Sequence, residues 1–248
     1  MSLIVHERPH QSPYIESITY GATLAAARVV RPAEIHWHLV LRSLHGQRRA
    51  ILVGPWSASG IAQWGADAEL IWLKFKLGTY MPQMPVRTYL NREIELPSAS
   101  GRAFWLDASA WEMPSVENID VFVERLVRRG VLAFDPLIRD VLDGYVPNLA
   151  PRTVRHRFLR ATGLTQSQLL QYQRANQAAS LLASGHSIAD AMFEVGYFDQ
   201  PHLTRSLKLW LGHTPAQIVR LHQIRNCRSV QDIPTPNEYA TDVLMNDR

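Results

Sequence analysis

Gln200, Thr204, Arg205 and Lys208 fall at helical spacing, so a helix would present them on one side together with Pro201. Their chemistry is that of base and phosphate recognition. A glutamine amide pairs bidentately with adenine, an arginine with guanine, and a threonine methyl meets the thymine methyl. Lysine offers a point charge suited to phosphate. The chain offers no competing set for covalent chemistry: it has no Ser/His/Asp arrangement, no paired carboxylates and no glycine-rich phosphate loop. It therefore reads as a binding protein and not as an enzyme, with no cofactor.

The side chains need a rigid carrier, and the sequence supplies one. Asp199 is an N-cap and Pro201 falls in the first turn, where a missing N–H does no harm. Leu203, Leu207 and Trp210 form the apolar stripe, and Gly212 ends a helix spanning Asp199–Trp210. Before it, Ser187–Val195 is a shorter helix, capped by Ser187 with Asp190 three residues on. Ile188, Met192 and Val195 face inward there, and Gly196 makes the turn. This is a helix, a short turn and a second helix with a polar outer face, the layout that enters a major groove. Upstream, Pro151–Ala161 repeats the idea with Val154 and Phe158 inward and Gly163 as the stop. Gln166–Ala183 is longer, with a stripe of Tyr172, Ala175, Ala179 and Leu182. Shorter helical patterns cover Phe134–Asp143 and the segment around Ile119, Phe122, Val123 and Leu126.

Charge is distributed to match. The formal net charge is +4, but Met1–Leu149 balances to zero, Ala150–Arg225 carries +6 and Asn226–Arg248 carries −2. The excess is confined to the helical block, as a phosphate-binding surface requires. The single cysteine, Cys227, excludes an internal disulfide and a thiolate metal cluster, and a reducing cytoplasm is the expected setting. No run approaches the roughly 18 apolar residues of a membrane span.

The first half is strand-rich. Glu34–Leu41 alternates Ile35, Trp37, Leu39 and Leu41 against His36, His38 and Val40, while Glu69–Lys76 places Ile71, Leu73 and Phe75 on one face. Arg49–Val53 is a short apolar run, and the prolines of Thr79–Pro85 exclude a regular element. Trp37, Trp56, Trp64, Trp72, Trp105 and Trp111 all lie here. They serve either as aromatic core or as the lining of an apolar pocket.

The residues Gly185, Ser187-Ile188, then Val195-Gly196-Tyr197-Phe198-Asp199-Gln200-Pro201-His202-Leu203-Thr204-Arg205-Ser206-Leu207-Lys208 and Gly212-His213-Thr214-Pro215 resemble the signature of the AraC/XylS family of transcription activators. Upstream, Arg152-Thr153-Val154-Arg155-His156-Arg157-Phe158, Ala161-Thr162-Gly163-Leu164-Thr165, Arg174, Ala178, Leu181 and Leu182 are similar to that family's first reading helix and connecting helix. The likeness spans roughly 134–220. It implies two helix-turn-helix units joined by a linker helix, reading successive major grooves of double-stranded DNA in a bacterial activator that recruits RNA polymerase. Carried over by position, Arg152, Arg155, His156, Gln200, Pro201, Thr204 and Arg205 would contact bases. Thr153, Arg157, Arg160 and Lys208 would contact phosphates. Three features depart from the pattern, at four positions. Ala150 stands where a serine cap is usual, a loss of about 1 kcal/mol; Pro147 and Asn148 draw out the preceding turn; and Met192 replaces a small residue at the helix crossing.

The expected fold is α+β in two domains: a mainly β domain at 1–115 for sensing or pairing, an all-α DNA-binding domain at 116–225, and a polar, mobile tail at 226–248. A small-molecule effector in the first domain and a homodimer are open expectations. One alternative makes the first domain a cupin-like metalloenzyme with His36 and His38 as ligands, although these two histidines lack a third partner and the reading adopted has no metal. The other is a DNA-binding or interaction module without an effector.

Overall fold

A computed structural model of the chain describes residues 3–9 and 12–226. Cys227 and the rest of the expected tail lie outside the described residues. The chain begins with strands β1 (Leu3–Pro9), β2 (Ile15–Thr23), β3 (Ala27–Arg31), β4 (His38–Leu44), β5 (Gln47–Val53), β6 (Gly60–Trp64), β7 (Ala68–Phe75) and β8 (Thr79–Tyr80). A one-turn helix α1 (Val86–Tyr89) precedes β9 (Glu93–Glu95), β10 (Ser98–Ser100), β11 (Ala103–Leu106) and β12 (Ser109–Glu112). Then come α2 (Ile119–Arg128), β13 (Ala133–Phe134) and α3 (Leu137–Leu142). The chain continues with α4 (Pro151–Thr162), α5 (Gln166–Ala183), α6 (Ile188–Val195), α7 (Gln200–Leu211) and α8 (Pro215–Asn226). The protein is thus two-domain α+β, with all strands but β13 before residue 113 and a helical C-terminal region from residue 137.

The main sheet has six strands in the order β1-β2-β7-β4-β5-β9, and every pair is antiparallel. Its register lines Ile18, Leu73, Leu39 and Leu52 into one row across four strands, and all four are buried. Side chains alternate along a strand, so fixing one such row fixes which face of the sheet is dry. Phe104, Leu106 and Trp111 of the β10-β11-β12 sheet and Ile119, Phe122, Val123 and Leu126 of α2 complete that core. The neighbouring row, Thr19, Trp72, Val40 and Ile51, lies on the other face, where Trp72 is exposed and the rest are half-buried.

Three local outcomes differ from the sequence expectation. His36 precedes β4 instead of sharing its face with His38, and His38 is buried, accepting a 2.6 Å hydrogen bond from the Trp72 indole N–H. Among the described residues no three His, Cys, Asp or Glu side chains converge as metal ligands, so the metalloenzyme alternative gains no support. The helix expected from Phe134 starts only at Leu137. Phe134 pairs instead with Thr79 in the short β13–β8 ladder, and the Asp135 amide donates to the Gly78 carbonyl at 2.9 Å. Thr79–Tyr80, expected to be irregular, supplies the partner strand.

The chain forms two compact units whose borders differ from a cut near residue 115. Among the described residues, one unit holds 3–9, 12–27, 35–56 and 64–166, and the other holds 28–34, 57–63 and 167–226. The second unit therefore takes in the β3–β6 ribbon from the N-terminal half. Ala33, 3% exposed, is part of its helical core, together with Ala175, Ala178, Leu182, Ala191, Tyr197, Leu203, Leu207 and Trp210. The ribbon also caps α7. The Ala33 amide donates to the Trp210 carbonyl (2.6 Å), the Ser59 amide to Leu209 (2.7 Å) and the Ser59 hydroxyl to Lys208 (2.8 Å). The Leu209 and Trp210 carbonyls fall in the last turn, where intrahelical donors are lacking, so the segments flanking the ribbon satisfy groups that water or a cap would otherwise serve; Lys208 already accepts from the Gly212 amide.

Two substitutions test this organisation. Ala33→Leu overpacks the helical core and should lower stability by about 1–3 kcal/mol, read as an earlier urea midpoint of the helical signal; an unchanged midpoint would remove Ala33 from that core. Gly78 has φ +100°, and a Cβ there would lie 2.6 Å from the Asp135 carbonyl oxygen. Gly78→Ala should therefore destabilise by more than about 1 kcal/mol in the same measurement.

Candidate nucleic-acid interface

In α7 the Asp199 carboxylate accepts from the His202 amide at 2.6 Å, and Pro201 lies in the first turn. Leu203, Leu207 and Trp210 are buried, with the Trp210 ring edge-on to Tyr172 of α5 at 5.6 Å. With that stripe fastened inward, Gln200, Pro201, Arg205 and Lys208 stand exposed and Thr204 is half-buried beside them. The helix that the sequence indicates is the helix found, and its five expected contact residues share one outer side.

The turn before α7 is held by groups that local patterning does not reveal. Arg174 of α5 donates to the Gly196 carbonyl at 2.8 Å, and its guanidinium lies 4.6 Å from the Tyr197 ring centroid. The Tyr197 hydroxyl in turn meets the Ser206 hydroxyl at 2.9 Å. One cation therefore ties the linker helix to the turn, and the tyrosine ties the turn to α7. The α6 cap is as expected: Ser187 accepts from the Asp190 amide at 3.1 Å and donates to its carboxylate at 2.6 Å. Ala191 of α6 is fully buried in this core, whereas Met192 packs at its margin.

α4 is built on the same frame. Val154, Phe158, Ala161 and Thr162 are buried, and Arg152, Thr153, Arg155 and His156 are exposed. Ala150 gives no side-chain cap, as expected. The same interval separates Val154 from Leu203, Phe158 from Leu207 and Gly163 from Gly212. Both helices have 12 residues, and both end on a left-handed glycine, at φ 72° and 77°. This interval sets Arg152, Arg155 and His156 opposite Pro201, Thr204 and Arg205. Read along the sequence alone, the chain shows no internal repeat at a fixed period, because only a few apolar residues and a glycine recur at this interval.

Arg157 and Arg160, expected to bind phosphates, meet a competing partner. Asp135, 3% exposed, is held bidentately by Arg157, with Nε to Oδ2 at 2.8 Å and a second, shorter bond from the other guanidinium nitrogen to Oδ1. Arg160 approaches Oδ2 at 3.6 Å and lies 4.7 Å from the Tyr80 ring centroid. Asp135 holds the Arg157 guanidinium above its ordinary pKa, so it stays charged at every working pH. Arg157 corresponds by the common interval to half-buried Ser206, and Arg160 to exposed Leu209. Both arginines nonetheless turn to Asp135, because a buried carboxylate must be matched by cations.

No helix among the described residues is long and apolar enough to cross a membrane. A search of curated proteins finds no match to the chain. Residues 147–220 match a family model described as a helix-turn-helix domain. That span runs from just before α4 to within α8 and includes α6, the Gly196 turn and α7. It supports DNA binding by a transcription regulator. The C-terminal part of this chain, residues 147–220, is a helix-turn-helix domain of the AraC type.

Proposed function

We propose that the protein is a sequence-specific transcription regulator whose helices α4 and α7 read two successive major grooves of double-stranded DNA. The observation that carries this reading is the common frame of the two helices: equal length, the same buried stripe and a left-handed glycine stop at one interval, within the matched span. Arg152, Arg155 and His156 serve the first groove, and Gln200, Pro201, Thr204 and Arg205 the second. Thr153 and Lys208 reach phosphates. The excess charge of +6 over Ala150–Arg225 supports the same reading. The β-rich domain senses an effector or pairs two copies, and the bound protein acts through RNA polymerase. The protein carries out no covalent chemistry in this reading.

Two measurements test it. A DNA sequence enriched by the full chain from a random pool should lose affinity by about 1–3 kcal/mol on Arg205→Ala, with base preference relaxed at one position. Equal loss on specific and random DNA would assign Arg205 to phosphate. Binding should also weaken steeply with salt, by about 0.9 in log K per log salt for each phosphate neutralised. A flat response would remove the electrostatic part of the proposal.

A further inference from the structure

Asp135 stands where three elements meet. Its amide donates to the Gly78 carbonyl, next to β8. Its Oδ1 accepts from the Leu137 amide at 3.2 Å, at the start of α3. Its carboxylate engages Arg157 and Arg160 of α4, and Arg160 also stacks over Tyr80 of β8. The far end of α4 leans on the same region. A Cβ on Gly163 would come within 3.2–3.4 Å of Leu90 and Val86, at and beside α1. α4 is therefore fastened along its length to segments of the β-rich unit, and its contacts with Asp135 are ionic.

We infer that Asp135 is the positioning residue of the first reading helix. By binding Arg157 and Arg160 it fixes the rotation of α4 about its own axis, and with it the face that carries Arg152, Arg155 and His156. The same contacts withhold two cations from the DNA backbone, so the first helix discriminates bases without adding those two charges to non-specific attraction. A side chain that only stabilised the fold would affect both grooves alike. A positioning residue affects one groove and alters the charge count. The inference rests on α4 being a DNA reader, as proposed above.

The test uses the full chain and Asp135→Asn. The amide keeps an oxygen for the Leu137 N–H while it removes the negative charge and turns the second oxygen into an N–H donor, and circular dichroism checks that the variant is folded. Sequences are enriched from a random DNA pool by the unsubstituted protein, and Arg155→Ala and Arg205→Ala assign the two halves of the enriched site. D135N should lose at least tenfold discrimination in the Arg155 half and keep it in the Arg205 half. Its binding to random DNA should become more salt-dependent, the slope rising by about 0.9–1.8 as one or two released arginines reach phosphates. Equal loss in both halves, intact discrimination in the Arg155 half, or an unchanged salt slope overturns the inference. Should D135N not fold, Arg160→Gln, at a half-exposed side chain, replaces it; discrimination must then fall in the Arg155 half alone, and any other pattern overturns the inference. If the unsubstituted protein enriches no sequence, or neither half responds to R155A, the DNA-reading role of α4 fails first and the inference fails with it.

Discussion

A carboxylate shut away from water remains charged only if cations come to it, and this one requirement governs the first half of the recognition apparatus. Asp135 draws Arg157 and Arg160 to itself, and the helix that carries them must follow. Removing a cation from Asp135 leaves a buried charge unmatched, which is costly even though both arginines are partly exposed. A missing cap such as that at Ala150 costs only about 1 kcal/mol. The uncapped N-terminus of α4 is thus tolerable: the helix is located by charge from its side and not by its end.

α7 solves the same mechanical problem without charge. Its end is capped by Asp199, its stripe sinks into an alanine-lined core, and its last carbonyls are taken by the ribbon. Backbone hydrogen bonds and close packing of small residues resist rotation as a salt bridge does, and they are far less sensitive to ionic strength. The two reading helices therefore share a frame but are secured by different forces. Arg174 is a cation placed at the turn before α7, and it acts on a carbonyl and an aromatic face instead of a carboxylate.

Much of this was legible in the residues. Asp199, Pro201, Leu203, Leu207 and Gly212 specify α7 by themselves, because capping, ring geometry, periodicity and a positive φ each act within a turn or two. The strands at Leu39 and Leu73 were legible from alternation and the one at Leu52 from a short apolar run, but their order in the sheet was not, since such patterns do not say which strand lies beside which. His38 was misjudged for a related reason: Trp72, its diagonal neighbour on β7, covers a position that alternation alone assigns to the wet face. Asp135 was invisible because a lone acid distant in sequence from its arginines produces no period. Ala33 was invisible because one alanine in a polar stretch carries no hydrophobic signal, however deeply it is buried.

The ribbon also bears on how such a chain can change over generations. A core completed by residues from both ends of the sequence cannot be inherited in separate pieces. Recombination that exchanged the first 115 residues for an unrelated sensor would deliver a helical region stripped of Ala33 and of the donors that close α7. Any successful exchange must bring a substitute for that strand pair, so descent with the two halves locked together is favoured over free shuffling of interchangeable modules.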